Sequence, residues 1–242
     1  MKKYFGLMVL MMIGSYLAMS LTAQIKPLKV YMVRGAKAGS ILDDVDYQNV
    51  FKDRIFAGHD VTIDLTSGKA TFLSNFFQAN VVYLSLHANP KKIVVGNGDE
   101  VDNNDLILAY KANGYKGPAL VIVTGCSTTK DLEDPMSIPK TMGFRSDSKK
   151  KAYIGFSTFK VGVLGDRYFR VFLATWMKKR ADGTYPTLEE ARVEAKAFIK
   201  KMLGLQGDQT GKIARFAPLD ASTADQFVIV GDDSLRVTDI NP

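Results

Sequence analysis

The sequence predicts an α/β fold with three layers, α/β/α, around a mostly parallel central sheet of about six strands. Short, fully apolar runs recur along the chain, amphipathic stretches of helical period lie between them, and polar segments rich in turn residues separate the two. That is the pattern of parallel strands covered on both faces by crossover helices. With 242 residues and 46% hydrophobic content, the chain has enough apolar side chain for one well-buried core. A single domain over residues 24–242 is therefore expected.

The N-terminal segment is set apart from that domain. Lys2 and Lys3 precede the apolar run from Phe5 to Leu21, which ends in Leu21-Thr22-Ala23 before Gln24. This is the layout of a secretory signal peptide over residues 1–23, so cleavage after Ala23 and a secreted or periplasmic product are expected. Gly14, Ser15 and Ser20 interrupt the run and no cationic stop-transfer cluster follows it, so no stable membrane span is expected after removal. No cysteine lies near the cleavage point to carry a lipid.

Taken in order, the strand candidates are 28–33, 61–65, 81–87, 119–124, 152–156 and 227–230, each short and apolar. Residues 71–79, 105–113 and 167–179 read as helices, with Asn103 or Asn104 available to cap the second. The clearest helix is 188–203. Thr187 and Glu190 form a capping box, Ala191, Ala195, Phe198, Ile199, Met202 and Leu203 share one face, and Gly204 supplies the stop. The stretches 91–98, 131–151 and 204–224 read as loops, and Asp43, Asp44 and Asp46 read as a solvated turn leading into a helix rather than a calcium site.

Charge adds little. The chain carries +7, and removal of Lys2 and Lys3 leaves +5, thirty basic against twenty-five acidic residues. Lys149-Lys150-Lys151 and Lys178-Lys179-Arg180 are short, separated clusters without interleaved aromatics, so solvated charge is expected and nucleic-acid binding is not. A phosphate site is also disfavoured. Gly96-Asn97-Gly98 lacks a third glycine, and Lys130 does not follow Gly125 in a phosphate-binding arrangement.

The chemistry converges on two strand ends. The run 81–86 delivers His87 at its carboxyl end, and the run 119–125 delivers Cys126, the chain's one cysteine, at its own. In an open parallel sheet both side chains emerge at one rim, where ligands bind. Their separation, 126 minus 87 or 39 residues, suits one crossover between neighbouring strands. A lone thiol in an exported chain has no internal disulfide partner, and an imidazole within reach can take its proton and later return one to a leaving amine. The backbone amides of Cys126 and Ala88 are the candidate donors to a developing oxyanion. His59, in Ala57-Gly58-His59-Asp60, is not expected to be catalytic.

Residues 81–87 and 119–128 resemble the histidine and cysteine motifs of clan CD peptidases, the group of caspases, clostripain, gingipains and CHAT domains. Residues 152–157 look like the following core strand of gingipain and CHAT chains. Residues 227–235 are similar to the late strand and Gly-Asp-Pro turn of gingipain-type domains. The resemblance covers roughly Leu28 to Val237 and implies a caspase-like fold.

It also implies a cysteine endopeptidase acting through an acyl-enzyme on a peptide or protein substrate, without metal or organic cofactor. A non-catalytic secreted binding module on the same fold is the alternative. In this clan a charged group selects the residue before the scissile bond. Arg34 and Lys37 are candidates for an acidic side chain, and Asp131, Glu133 and Asp134 for a basic one. Two positions depart from the family pattern: Ala88 stands where glycine is usual after the histidine, which suits the chain only where φ is negative, and Asp233 stands where proline is usual. Lys149-Lys150-Lys151 is a candidate processing site.

Overall fold

The structure, a computed structural model, describes residues 26–35, 47–157, 165–205 and 225–240. Strands β1 (Lys29–Arg34), β2 (Asp60–Asp64), β3 (Val81–Ser85), β7 (Leu120–Val123), β8 (Ala152–Phe156) and β9 (Phe227–Gly231) build one sheet in the order β2-β1-β3-β7-β8-β9. All neighbours are parallel except β9, which runs antiparallel to β8. The three-layer, mostly parallel architecture expected from the apolar runs is present. Every residue of β3, β7 and β8 is buried, as strands covered on both faces must be.

Alternation along each strand divides the apolar residues between two cores. On one face Val30, Met32, Tyr83, Ile122 and Ile154 pack under the π-helical segment Tyr47–Ile55 and under two helices, Gly165–Trp176 and Leu188–Leu205. On the other, Val33, Val82, Leu84, Val121 and Tyr153 meet Phe72, Phe76, Leu106 and Phe144. Those side chains come from helices α1 (Lys69–Gln78), α2 (Asn103–Ala112) and the segment after α3 (Ile138–Thr141). The two long helices of the first face are α4 (Gly165–Trp176) and α5 (Leu188–Leu205).

Several local expectations are corrected. Segment 91–98 is not a loop: β4 (Ala88–Asn89), β5 (Lys92–Val94) and β6 (Glu100–Asp102) form a small antiparallel sheet inside the β3-to-β7 crossover. The cap of α2 is Asp102, whose carboxylate accepts from the Asp105 amide at 2.9 Å, while Asn103 lies within the helix. Segment 131–151 contains α3. Helix α5 does begin with the Thr187–Glu190 capping box, at 3.1 and 2.7 Å, but Gly204 lies inside the helix rather than ending it. Ala191 and Ala195 are buried and Ile199 packs on the core, whereas Phe198 leaves that face and is 53% exposed.

The N-terminus of α1 is closed by the protein itself. The Lys69 amide donates to Asp99 at 3.0 Å, and Lys69 Nζ pairs with Asp105 at 2.7 Å. Asp99 belongs to the Gly96–Asp99 turn of the small sheet, so a chain carboxylate takes the anion position there.

The late turn anchors α5. Asp232 accepts from the Ser234 amide at 3.1 Å and the Lys150 amide at 2.9 Å, and the Asp233 carbonyl receives the Glu189 amide at 3.1 Å. The carbonyl of any residue serves there, so aspartate in place of proline leaves the turn intact. Gly231 has φ +109°, a conformation that suits glycine, and a Cβ at that position would strike the Lys151 carbonyl.

Candidate active site

Strands β3 and β7 pair in parallel with a constant offset: Val81 faces Leu120, Val82 faces Val121, Tyr83 faces Ile122 and Leu84 faces Val123. Each pair differs by 39 residues, which is also the separation of His87 and Cys126, the residues that lie just beyond the carboxyl ends of the two strands. The two extensions stay together. The Thr124 amide donates to the Leu84 carbonyl at 2.8 Å. At Gly125, a Cβ would sit 2.5 Å from the Ala88 Cβ and 3.0 Å from the Leu86 carbonyl oxygen. The residues on either side of His87 therefore press on the residue before Cys126, and only glycine lets the strands approach so closely.

His87 is exposed and Cys126 is partly buried. The Val94 amide donates to the His87 carbonyl at 2.9 Å, so the small antiparallel sheet pins the histidine's backbone. That bond also makes Ala88 and Ile93 a non-hydrogen-bonded pair of the β4–β5 ladder. The Ala88 N–H is thus directed away from β5. Its nitrogen lies 3.4 Å from where a Gly125 Cβ would be. Ala88 is not among the residues with positive φ, so alanine holds this extended position without the strain that would demand glycine.

The chain leaves Cys126 through a turn that the sequence did not reveal. Ser127 has φ +56° and is fully buried, and its Oγ has no hydrogen-bond partner. Both features are unfavourable: a non-glycine residue in the left-handed region costs about 1–2 kcal/mol, and such strain gathers where a backbone must hold a reacting group. The turn is fastened to β8, where the Thr129 amide donates to the Phe156 carbonyl at 3.0 Å and the Phe156 amide donates to Thr128 Oγ1 at 3.3 Å.

Of the specificity candidates, Arg34 ends β1 half-buried, opposite Ser85 on the same rim. Lys37 lies outside the described residues, as do Asp43, Asp44, Asp46 and segment 1–23. Asp131 and Glu133 are exposed in the loop after Cys126. Asp134 is used locally: its carboxylate accepts from the Met136 amide at 2.8 Å. Glu133 contributes its carbonyl, which receives Lys140 Nζ at 2.9 Å.

His59 sits at the opposite end of the sheet, where its Nδ1 accepts from the Leu28 amide at 3.0 Å and burial pushes its pKa down. Lys149 and Lys150 are exposed at the amino end of β8. With Ala152 level with Leu120, that places them at the end of the sheet away from Cys126, about 26–30 Å of strand rise from it. Among the described residues, no group of three or more His, Cys, Asp and Glu side chains converges to hold a metal, and no helix is long and apolar enough to cross a membrane.

The sheet order, its antiparallel last strand and the helices on both faces define a caspase-like α/β fold of the gingipain kind. Solved structures that share it include three proteinase structures. The Arg-specific cysteine proteinase gingipain R superimposes with a TM-score of 0.58 at 13% identity, covering 86% of this chain and 46% of that one. The complex of Porphyromonas gingivalis RgpB pro- and mature domains gives 0.58 at 12% identity, with 86% and 48% covered. A structure described simply as a protease gives 0.52 at 14%, with 90% and 50% covered. The chain thus spans about half the length of the solved chains it matches. No protein-family model and no curated protein sequence matches it.

Proposed function

We propose that the chain is an exported cysteine endopeptidase in which Cys126 attacks the peptide carbonyl and His87 moves the proton. The thiol loses its proton to the imidazole, the sulfur adds to the carbonyl carbon, and the oxyanion is held by the Ala88 and Cys126 amides. Collapse expels the amine, which takes the proton from His87, and leaves a thioester that water then hydrolyses. The observation that carries this reading is the shared 39-residue offset, in sequence and in strand register, at the carboxyl rim of the sheet. The direction of the Ala88 N–H supports the oxyanion assignment. Export rests on the N-terminal layout of Lys2, Lys3, the apolar run and Ala23.

The test is covalent labelling. Purified protein is treated with peptide chloromethyl ketones carrying Arg, Lys or Asp before the reactive group, and the adduct is located by mass spectrometry. Labelling at Cys126 that is lost in Cys126→Ala and in His87→Ala supports the dyad, and the preferred probe reports whether Arg34 or the acidic loop 131–134 selects the substrate. Labelling no faster than that of the urea-unfolded chain sinks the reading in favour of a binding module on the same fold.

A further inference from the structure

Away from the rim, the π-helical segment Tyr47–Ile55, α4 and α5 enclose a groove of about 830 Å³ on the outer face of the helical layer. Its floor is apolar, formed by Val50, Ile55, Val171, Ala174 and Phe198, and Phe198 is the aromatic side chain that α5 fails to bury. Its walls are basic. Arg54, Arg170, Lys178, Lys179 and Arg180 line it against a single carboxylate, Glu194, which is an excess of four positive charges. Glu194 is paired with Arg180, which also meets Glu190 at 3.2 Å. Arg54, Lys178 and Lys179 are exposed.

The charges are spaced. Arg54 belongs to the π-helical segment, whereas Lys178 and Lys179 follow the last residue of α4, Trp176, so exposed cations border the apolar floor from separate elements. A lipid presents one anionic head and an apolar tail, which matches a single charged end. A peptide with carboxylates on both sides of a short apolar stretch matches cations carried on separate elements and the floor beside them.

We propose that this groove is a docking site for an acidic amphipathic peptide segment of a protein partner, one whose apolar residues are bracketed by Asp or Glu. It stands independently of the peptidase assignment, because binding is read without cleavage. Lys178 and Lys179, together with the Arg180 that pairs with Glu190 and Glu194, become one wall of the site.

The test uses the full chain carrying Cys126→Ala and a fluorescein-labelled peptide, Glu-Glu-Leu-Leu-Ala-Leu-Glu-Glu, followed by anisotropy. Binding is expected to weaken at least about tenfold in Lys178→Glu/Lys179→Glu and in Ala174→Trp, which fills the floor from an exposed helix position. It is expected to weaken with added salt and to be unaffected by Lys149→Glu/Lys150→Glu, the same charge change at a distant loop. Equal binding of a peptide with Lys in place of Glu, or binding that survives both groove variants, overturns the proposal. So does phosphatidylglycerol-vesicle binding through these residues without peptide binding, or a dimer of the chain that the groove variants dissolve.

Discussion

Gly125→Ala is the substitution that presses hardest on the proposed geometry. The new Cβ would lie 2.5 Å from the Ala88 Cβ and 3.0 Å from the Leu86 carbonyl oxygen, whereas carbon pairs rest at about 3.5–4.0 Å. Relief requires the two strand extensions to part by about 1 Å, next to His87 on one and Cys126 on the other. Overpacking of this kind costs about 1–3 kcal/mol of stability, and a 1 Å misplacement of reacting groups lowers rate by about 100-fold.

The assay pairs urea denaturation with the rate of chloromethyl ketone labelling of Cys126. Ala88→Gly is the built-in control, because it removes the nearest obstruction and leaves contacts of 3.0 Å with the Leu86 oxygen and 3.4 Å with the nitrogen of residue 88. The double variant Gly125→Ala/Ala88→Gly is expected to regain about 1 kcal/mol relative to the sum of the singles and to recover part of the labelling rate. A Gly125→Ala protein with wild-type stability and labelling, or a double variant no better than additive, would refute the close approach of the two extensions.

Other outcomes follow from the same contacts. Ser127→Gly removes both the left-handed side chain and the buried, unpartnered Oγ, so denaturation should show a gain of about 1 kcal/mol; a loss would mean that the hydroxyl holds something the fold needs. Thr187→Ala opens the capping box of α5 and should lower stability by about 1 kcal/mol, and an unchanged midpoint would contradict the cap's role. His59 is neutral-favouring when folded, because burial lowers its pKa. The unfolded chain therefore binds the proton first, and stability is lost as pH falls from about 6.5 through the folded value. His59→Asn, which keeps an acceptor for the Leu28 amide, should flatten that part of the stability profile, and an unaltered slope would sink this account of His59.

What was legible from residues alone was whatever periodicity and continuity report. Strands β3, β7 and β8 are apolar throughout because both faces are covered, and His87 and Cys126 stand out because parallel strands put their carboxyl ends on one rim. The Thr187–Glu190 box was equally plain. Tertiary context hid the rest. Strands β4 to β6 are two or three residues long and carry Lys, Asn and Glu, which look like loop until they pair with one another. Asp102 caps α2 although Asn103 and Asn104 compete for the role in sequence. Gly204 continues its helix and Phe198 faces outward, because α5 buries a narrower stripe than its composition suggests. The φ of Ser127 and the groove lined by Arg54, Arg170 and Lys178 belong to no single segment, so no local pattern announces them.

The central claim is that Cys126 and His87 act as one unit, and hydrolysis of a fluorogenic peptide library by four proteins tests it most directly: the wild type, Cys126→Ala, His87→Ala and the double variant. Residues that act together are strongly non-additive. The account predicts turnover by the wild type, loss to background in each single variant, and no further loss in the double. Turnover that survives Cys126→Ala, or a His87→Ala enzyme as fast as the wild type, would contradict it.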